Sequence, residues 1–581
     1  MSIRTEWYDK VDRNCPLPEY PRPQFERKDW LCLNGEYDYA IKDMYSKKPE
    51  SYDGKILVPF SVESELSGVN LPLEPYKRLW YRRTFTLTDA FKGKRTILHF
   101  GAVDWQCSVC VNDKPAGEHT GGYNPFSFDI TDLLAEGENE LTVRVYDPTD
   151  EGHQQRGKQK LKPVGFWYTA TSGIWQTVWL EPVNENRIDS VKILPDIDRG
   201  TVKFSFNVIG SGKLSAEISD GEKTVFNGEV GPECEIPVPD ARLWSPEDPF
   251  LYTVKFYLDG GKSDEVSSYF GMRKFSIVKD GDGIPRLALN NKPYFQRGLL
   301  DQGYWPESQL TAPTDEAMIF DINEMKRLGF NMLRKHIKEE PLRWYYHCDR
   351  LGMLVWQDMI SGGKPLNLIY AGALPNINVH VKDNQYKMFN RDKPEWRVEF
   401  REELKGMIDN LYNCVSICTW VPFNEGWGQF DARETGEWVK VYDPSRLVDH
   451  ASGWHDQHGP DFKSVHKYIT PVHMPTKRRQ DGRPFVLSEY GGYSWNIEGH
   501  VWNYQRSFGY IAYRNSKALT AAYKALHERQ IIPLVKKGLS ATVYTQVSDV
   551  EFEVNGIYTY DRKVLKIDPE TVKQINSQLR Y

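Results

Sequence analysis

Two glutamates each follow a short apolar run: Glu425 in TWVPFNEGWGQFD (419–431) and Glu489 in RPFVLSEYGGYSW (483–495). A carboxylic acid at the mouth of a buried strand, beside an amide that both donates and accepts hydrogen bonds, suits protonation of a sugar leaving group. Asn424 supplies that amide. A glycosidic bond needs a second carboxylate, and Glu489 stands in the same local setting, directly after Val486-Leu487-Ser488. Pairs about 5–5.5 Å apart give the retaining double displacement, one acid protonating the leaving oxygen while the other attacks the anomeric carbon. Either glutamate alone reads as a surface or helix-capping acid; two in matching contexts point to chemistry.

Strands must bring these acids together. From residue 276 onward strand-like and helix-like segments alternate. Strands are expected at 293–299, 331–333, 353–356, 415–421, 447–449, 464–469, 485–488 and 541–547. Thr314 can cap a helix whose apolar positions Met318, Ile322, Met325 and Leu328 keep helical spacing until Gly329. Pro341 opens a second helix that ends at Gly352, and 394–411 reads as a third. Eight strands in about 300 residues have the size and rhythm of a β/α barrel, although clear helices are missing after the fifth and sixth. An open doubly wound sheet is the rival, but no glycine-rich phosphate loop follows the first strand. In a barrel the active groups come from the C-terminal strand ends, which places Glu425 on the fourth strand and Glu489 on the seventh.

Ahead of the barrel the language is all β. Short alternating runs from 30 to 183 suit a jelly-roll sandwich, and a further set from 184 to 275 has the size of one immunoglobulin-like sandwich. The expected domains are therefore 1–183, 184–275 and a barrel over 276–581. Asn112-Asp113-Lys114 reads as a hairpin turn, and Gly121 to Pro125 as a loop carrying Tyr123. Segment 150–166 (DEGHQQRGKQKLKPVGF) is polar and patternless, a rim or interface loop or simple disorder.

A net charge of −6 across 581 residues argues against nucleic acid and polybasic membrane contacts as partners. No apolar stretch approaches the ~18 residues of a spanning helix. The N-terminus shows no signal-peptide pattern, so the chain as given reads as cytoplasmic unless a leader was removed. Eight cysteines are too sparse for a disulfide scaffold. Cys107-Ser-Val-Cys110 lies inside an alternating strand with no second pair at zinc spacing, and Cys414 and Cys418 read as core. Aromatics reach 13%, which fits sugar-stacking sites and β-rich chains alike.

At this point the residues resemble glycoside hydrolase family 2, the family of β-galactosidases, β-glucuronidases and β-mannosidases. The resemblance spans nearly the whole chain: VPFSVESELSGV, LWYRRTFTL, HFGAVDWQCSVCVND and SGIWQTVWLEP look like its sugar-binding jelly roll, YFGMRKFSI like the end of its immunoglobulin-like domain, and LALNNKPYFQRGLL like entry into its barrel. Asn424-Glu425 resembles the acid/base motif and SEYGG (488–492) the nucleophile motif. The resemblance implies Glu425 as general acid/base, Glu489 as nucleophile and Asn424 on the sugar 2-hydroxyl. It further implies Tyr468 as a hydrogen-bond partner of the nucleophile, with a packed core tyrosine as the alternative. Arg334 is expected to support Glu489 by charge. His336 stands near the family's Arg-x-x-His element, but only Lys335 separates it from Arg334. Trp427 is a candidate subsite floor or a packing residue, and Asp301 and Asp358, ending the first and third strands, are candidates to hold sugar hydroxyls. Gln357-Asp358 stands where many members carry a glutamate.

The expected activity is an exo-acting retaining β-glycosidase with no metal and no redox cofactor, a structural or accessory cation being left open. Carbohydrate is the expected partner, and a homo-oligomer is compatible with the architecture. In β-glucuronidases an Asn-x-Lys element binds the substrate carboxylate; here Asn555-Gly556-Ile557 lacks the lysine, although Lys477, Arg478 and Arg479 could supply charge. A β-galactoside is the leading substrate, on family prevalence alone, and a β-glucuronide or another β-glycoside the alternative. A carbohydrate-binding protein without catalysis, and transglycosylation to an acceptor other than water, are the competing functions.

Overall fold

The computed structural model describes residues 3–221, 223–365, 374–376, 379–475 and 481–581. Lys477, Arg478 and Arg479 lie outside them. The first unit is a sandwich of a six-stranded sheet, running in space Gly54–Val58, Gly35–Asp43, Lys77–Thr86, Glu138–Tyr146, Gln106–Val111 and Lys114–Thr120, against a four-stranded sheet of Leu31–Cys32, Val178–Val183, Arg95–Phe100 and Phe126–Asp129. Alternating side chains fill its core: in Gln106–Val111, Cys107, Val109 and Val111 are buried and their neighbours half-exposed. That period of two puts Cys107 and Cys110 on opposite faces of the strand. Asn112 and Asp113 both take positive φ, 51° and 59°, the two-residue hairpin geometry that asparagine and aspartate tolerate.

Seven further strands form the second sandwich, in sheets of three and four. Phe204, Phe256 and Phe270 pack edge-on at its centre. Arg27, from the segment preceding the first sandwich, clamps Asp264 of this one through Nε and Nη2 at 3.1 and 2.8 Å.

The third unit is a parallel sheet of eight strands curled into a TIM barrel: β1 (Gln296–Asp301), β2 (Met332–Lys335), β3 (Leu354–Asp358), β4 (Ile417–Val421), β5 (Leu447–Val448), β6 (Lys463–Lys467), β7 (Phe485–Gly491) and β8 (Leu539–Thr545). The hydrogen-bonded order is β5-β4-β3-β2-β1-β8-β7-β6. Between β5 and β6, side chains replace the backbone ladder: Asp461 accepts from the Val448 amide at 2.8 Å and Ser464 from the Gly453 amide at 3.3 Å.

Helix α1 (Asp315–Arg327) starts where Thr314 accepts from the Ala317 amide, and Gly329 follows its end at φ 87°. Helix α2 (Leu342–Leu351) ends at left-handed Gly352, and α3 (Pro394–Leu411) has proline in its first turn. Helix α4 (Ala432–Tyr442) follows β4 and was not legible beforehand. Its sequence, ARETGEWVKVY, mixes glycine and β-branched residues that score poorly as helix formers, so burial of Ala432, Thr435, Gly436 and Val439 holds it. The first barrel strand begins later than expected. Lys292–Pro293 instead forms the outer strand of a three-stranded antiparallel sheet with Pro285–Leu289 and Phe275–Lys279. Among the described residues, no helix is long and apolar enough to cross a membrane.

Candidate active site

Glu425 sits just beyond β4, where Asn424 makes a parallel bridge to Ser452 and the Glu425 amide donates to the Ser452 carbonyl at 3.0 Å. Its φ of 51° is the left-handed region, a strained setting for a non-glycine residue and of a kind that clusters at active sites. Glu489 lies within β7 at a bulge. Val465 pairs with Leu487 but His466 pairs with Glu489, so Ser488 is the extra residue that re-aims the glutamate.

Both oxygens of Glu489 are held. Arg334 Nη1 donates to Oε1 at 3.0 Å, and the Tyr468 hydroxyl donates to Oε2. Tyr468 stacks face to face on Tyr510 at 3.8 Å, which fixes its ring. Arg334 is fully buried on β2 and reaches four residues: Asp358 through Nε and Nη2, both at 2.9 Å, Asn424 Oδ1 at 2.8 Å, the Ser488 carbonyl at 3.1 Å and Glu489. All five N–H donors of a guanidinium are thereby used. Its grip on Asn424 Oδ1 leaves Nδ2 of that amide as the group able to donate to a ligand.

The two acids are held in opposite directions. Burial resists ionisation of Glu489, but the pull of His466 and Arg334 and the Tyr468 hydrogen bond outweigh it and bring its pKa down to about 2. Burial raises Glu425 above the ordinary carboxylate value, His466 opposes the rise, and the charge of Glu489 adds to it. One oxygen of each carboxylate and a ring nitrogen of His466 lie within 4.8 Å of one another. The facing oxygens of the two glutamates are thus close enough to act on one and the same bond.

The remaining expected residues divide. His336, buried, bonds Asp358 through Nδ1 at 2.8 Å; burial and then the nearby Lys158 lower its pKa well below the ordinary histidine value, so it is neutral at pH 7. Asp358 is occupied by Arg334 and His336, and Asp301 by Lys335 at 2.7 Å and the Gly303 amide at 2.9 Å. Both carboxylates therefore brace the barrel mouth through partners within the protein. Trp427 packs edge-on against Trp167 of the first sandwich at 5.1 Å and is buried at that junction.

Segment 150–166 is ordered against the barrel. Gln155 bonds Glu403 at 2.7 Å and accepts from Arg391 at 2.8 Å, and Arg156 donates to the Gly363 carbonyl at 2.8 Å. The segment delivers Lys158, whose Nζ stands 3.9 Å from Glu553 in the loop after β8 and whose charge acts on both Glu425 and His336. Lys158 and His466 escaped the sequence reading. For Lys158 no sequence signal existed. For His466 one did: it stands two residues before Tyr468, so strand alternation aims both inward.

Three family descriptions match successive stretches of the chain from residue 56 onward: "Glycosyl hydrolase 2 galactose-binding domain-like" over 56–176, "Glycosyl hydrolases family 2" over 186–273 and "Glycosyl hydrolases family 2, TIM barrel domain" over 285–579. Among curated relatives, a β-galactosidase of Thermoanaerobacter pseudethanolicus is 29% identical over 72% of this chain and 55% of its own, and one of Priestia megaterium is 25% identical over 87% and 49%. The chain thus spans about half the length of the curated relatives it matches. Among solved structures, a β-D-glucuronidase of Dictyoglomus thermophilum superposes with a TM-score of 0.75 at 17% identity, covering 96% of this chain and 98% of that one, a likeness of fold. With the barrel description alone covering half of the residues and the two β-domains matched ahead of it, the chain belongs to glycosyl hydrolases family 2.

Proposed function

We propose that the protein is an exo-acting retaining β-glycosidase, with Glu489 as nucleophile and Glu425 as general acid/base. The reading is supported by a pair of carboxylates with one oxygen of each within 4.8 Å of the other, one group held ionised and the other pushed toward its protonated form. Glu489 Oε attacks the anomeric carbon as the Glu425 proton passes to the departing oxygen. Glu425, now ionised, takes a proton from water, which displaces Glu489 from the glycosyl ester and restores both groups. Asn424 Nδ2 is the donor available to the 2-hydroxyl, a bond that strengthens as positive charge develops on the ring.

The glycone proposed first is a β-galactoside, the substrate class named by the curated relatives above. One observation favours a uronide as second reading: Lys158 brings a cation to the site. Glu553 already balances that cation, and Asn555-Gly556-Ile557 adds none, which supports the neutral sugar. Hydrolysis of 4-nitrophenyl β-D-galactoside, β-D-glucuronide and β-D-mannoside separates these. Azide then tests the roles. Glu425→Ala loses about 10²–10⁴-fold and regains activity by forming the β-glycosyl azide, whereas Glu489→Ala forms the α-glycosyl azide. The same anomer from both variants, or undiminished turnover by either, refutes the assignment.

A further inference from the structure

His466 is buried between the two glutamates, with no side-chain surface open to solvent. Its Nδ1 lies 2.7 Å from Glu425 Oε1; its Nε2 lies 3.2 Å from Ser452 Oγ, 3.4 Å from Arg334 Nη1 and 3.6 Å from Glu489 Oε1. A guanidinium nitrogen at 3.4 Å disfavours the neutral form that carries its only proton on Nε2. In the two other forms of the ring, Nδ1 carries a proton and donates it to Glu425 Oε1.

We propose that His466 is a positioning residue that reserves Oε1 of Glu425 as an acceptor, so that the transferable proton rides on Oε2 and faces the leaving oxygen. The proposal rests on the acid/base role given to Glu425 above. With Oε1 engaged by Nδ1–H, a protonated Glu425 has one oxygen left to hold its proton. When that proton departs, the Nδ1–H···Oε1 contact becomes charge-assisted and stabilises the new carboxylate. Gly453 keeps the ring in place: a Cβ there would stand 2.4 Å from the imidazole. Charged and titratable groups facing the ring are Glu425, Glu489, Arg334, Asp358 and His336.

The contribution should scale with how much proton the leaving group needs. The probes are the 2,4-dinitrophenyl and phenyl β-glycosides of whichever sugar the wild-type enzyme hydrolyses best in the panel above. His466→Leu is expected to lose at least about tenfold more kcat/KM on the phenyl than on the dinitrophenyl glycoside, a fraction of the 10²–10⁴ that general acids supply. His466→Asn, whose amide can stand where Nδ1 stands, is expected to restore most of that ratio. Equal losses on both leaving groups would reduce His466 to scaffolding and overturn the proposal. A substrate-independent arm titrates the Glu425 carboxyl by ¹³C NMR, with Glu425→Gln as the assignment control. Removing the donor in His466→Leu is expected to raise the Glu425 pKa, and an unmoved or lowered value overturns the proposal even if the sugar reading fails.

Discussion

Arg334→Lys isolates the geometry of the site from its charge. Arg334 spends five N–H donors on four residues at 2.8–3.1 Å. Lysine keeps the charge but has three donors, so at least two bonds are lost, and hydrogen bonds to charged groups contribute about 1.5–3 kcal/mol each. The expected destabilisation is about 3 kcal/mol or more, read as a lower urea midpoint at unchanged slope. Activity should fall by at least about a hundredfold in kcat/KM, the effect of losing one preorganised donor at a charge-developing centre. That loss follows because Asn424 and Glu489 both give up partners. Arg334→Met should be worse: it strands Asp358 and Glu489 as unpaired buried charges, a change of about 3–5 kcal/mol. It should also raise the Glu489 pKa from about 2, moving the acid limb of kcat/KM to higher pH. An Arg334→Lys enzyme within about 1 kcal/mol and tenfold of wild type would refute the view that this guanidinium organises the site.

Stability should decline on the alkaline side. Burial pushes Glu63, Glu339 and Glu403 up to about 8 and Glu551 up to about 7, so the folded state binds protons that the unfolded chain has released; this stabilisation is fully present below the ordinary carboxylate range and lost as pH rises through 7–8. Calorimetry should give a lower Tm at pH 8.5 than at pH 5.5, and a flat profile would count against it. Lys158→Met removes a charge that lowers the Glu425 pKa, so the alkaline limb of kcat/KM should move to higher pH, and an unmoved limb would show that the lysine does not act on that carboxylate.

Much of this molecule was legible because local signals and global fold agreed. Thr314, Gly329, Gly352 and Pro394 bound their helices as capping chemistry dictates, and apolar runs before Glu425 and Glu489 mark strands of one barrel. What escaped depends on contacts between distant segments. Helix α4 is held by burial rather than by its residues' preferences. Asp301 and Asp358 end their strands as expected, yet partners on β2 and just beyond it claim their oxygens. Lys158 belongs to a segment without periodicity whose order comes from Glu403, Arg391 and Gly363 of the barrel.

That reach of the first sandwich into the barrel mouth separates two kinds of heredity within one chain. Glu489 and Arg334 are written in barrel strands and Glu425 just beyond one, where almost any change disturbs the core. Lys158, Trp167 and Tyr168 are written in a different domain that holds no reacting atom; Trp167 abuts Trp427, and the Tyr168 hydroxyl donates to Glu553. A change in the sandwich can therefore alter the charge around Glu425 without touching a barrel strand. A comparison confined to barrel sequences would miss these contacts altogether.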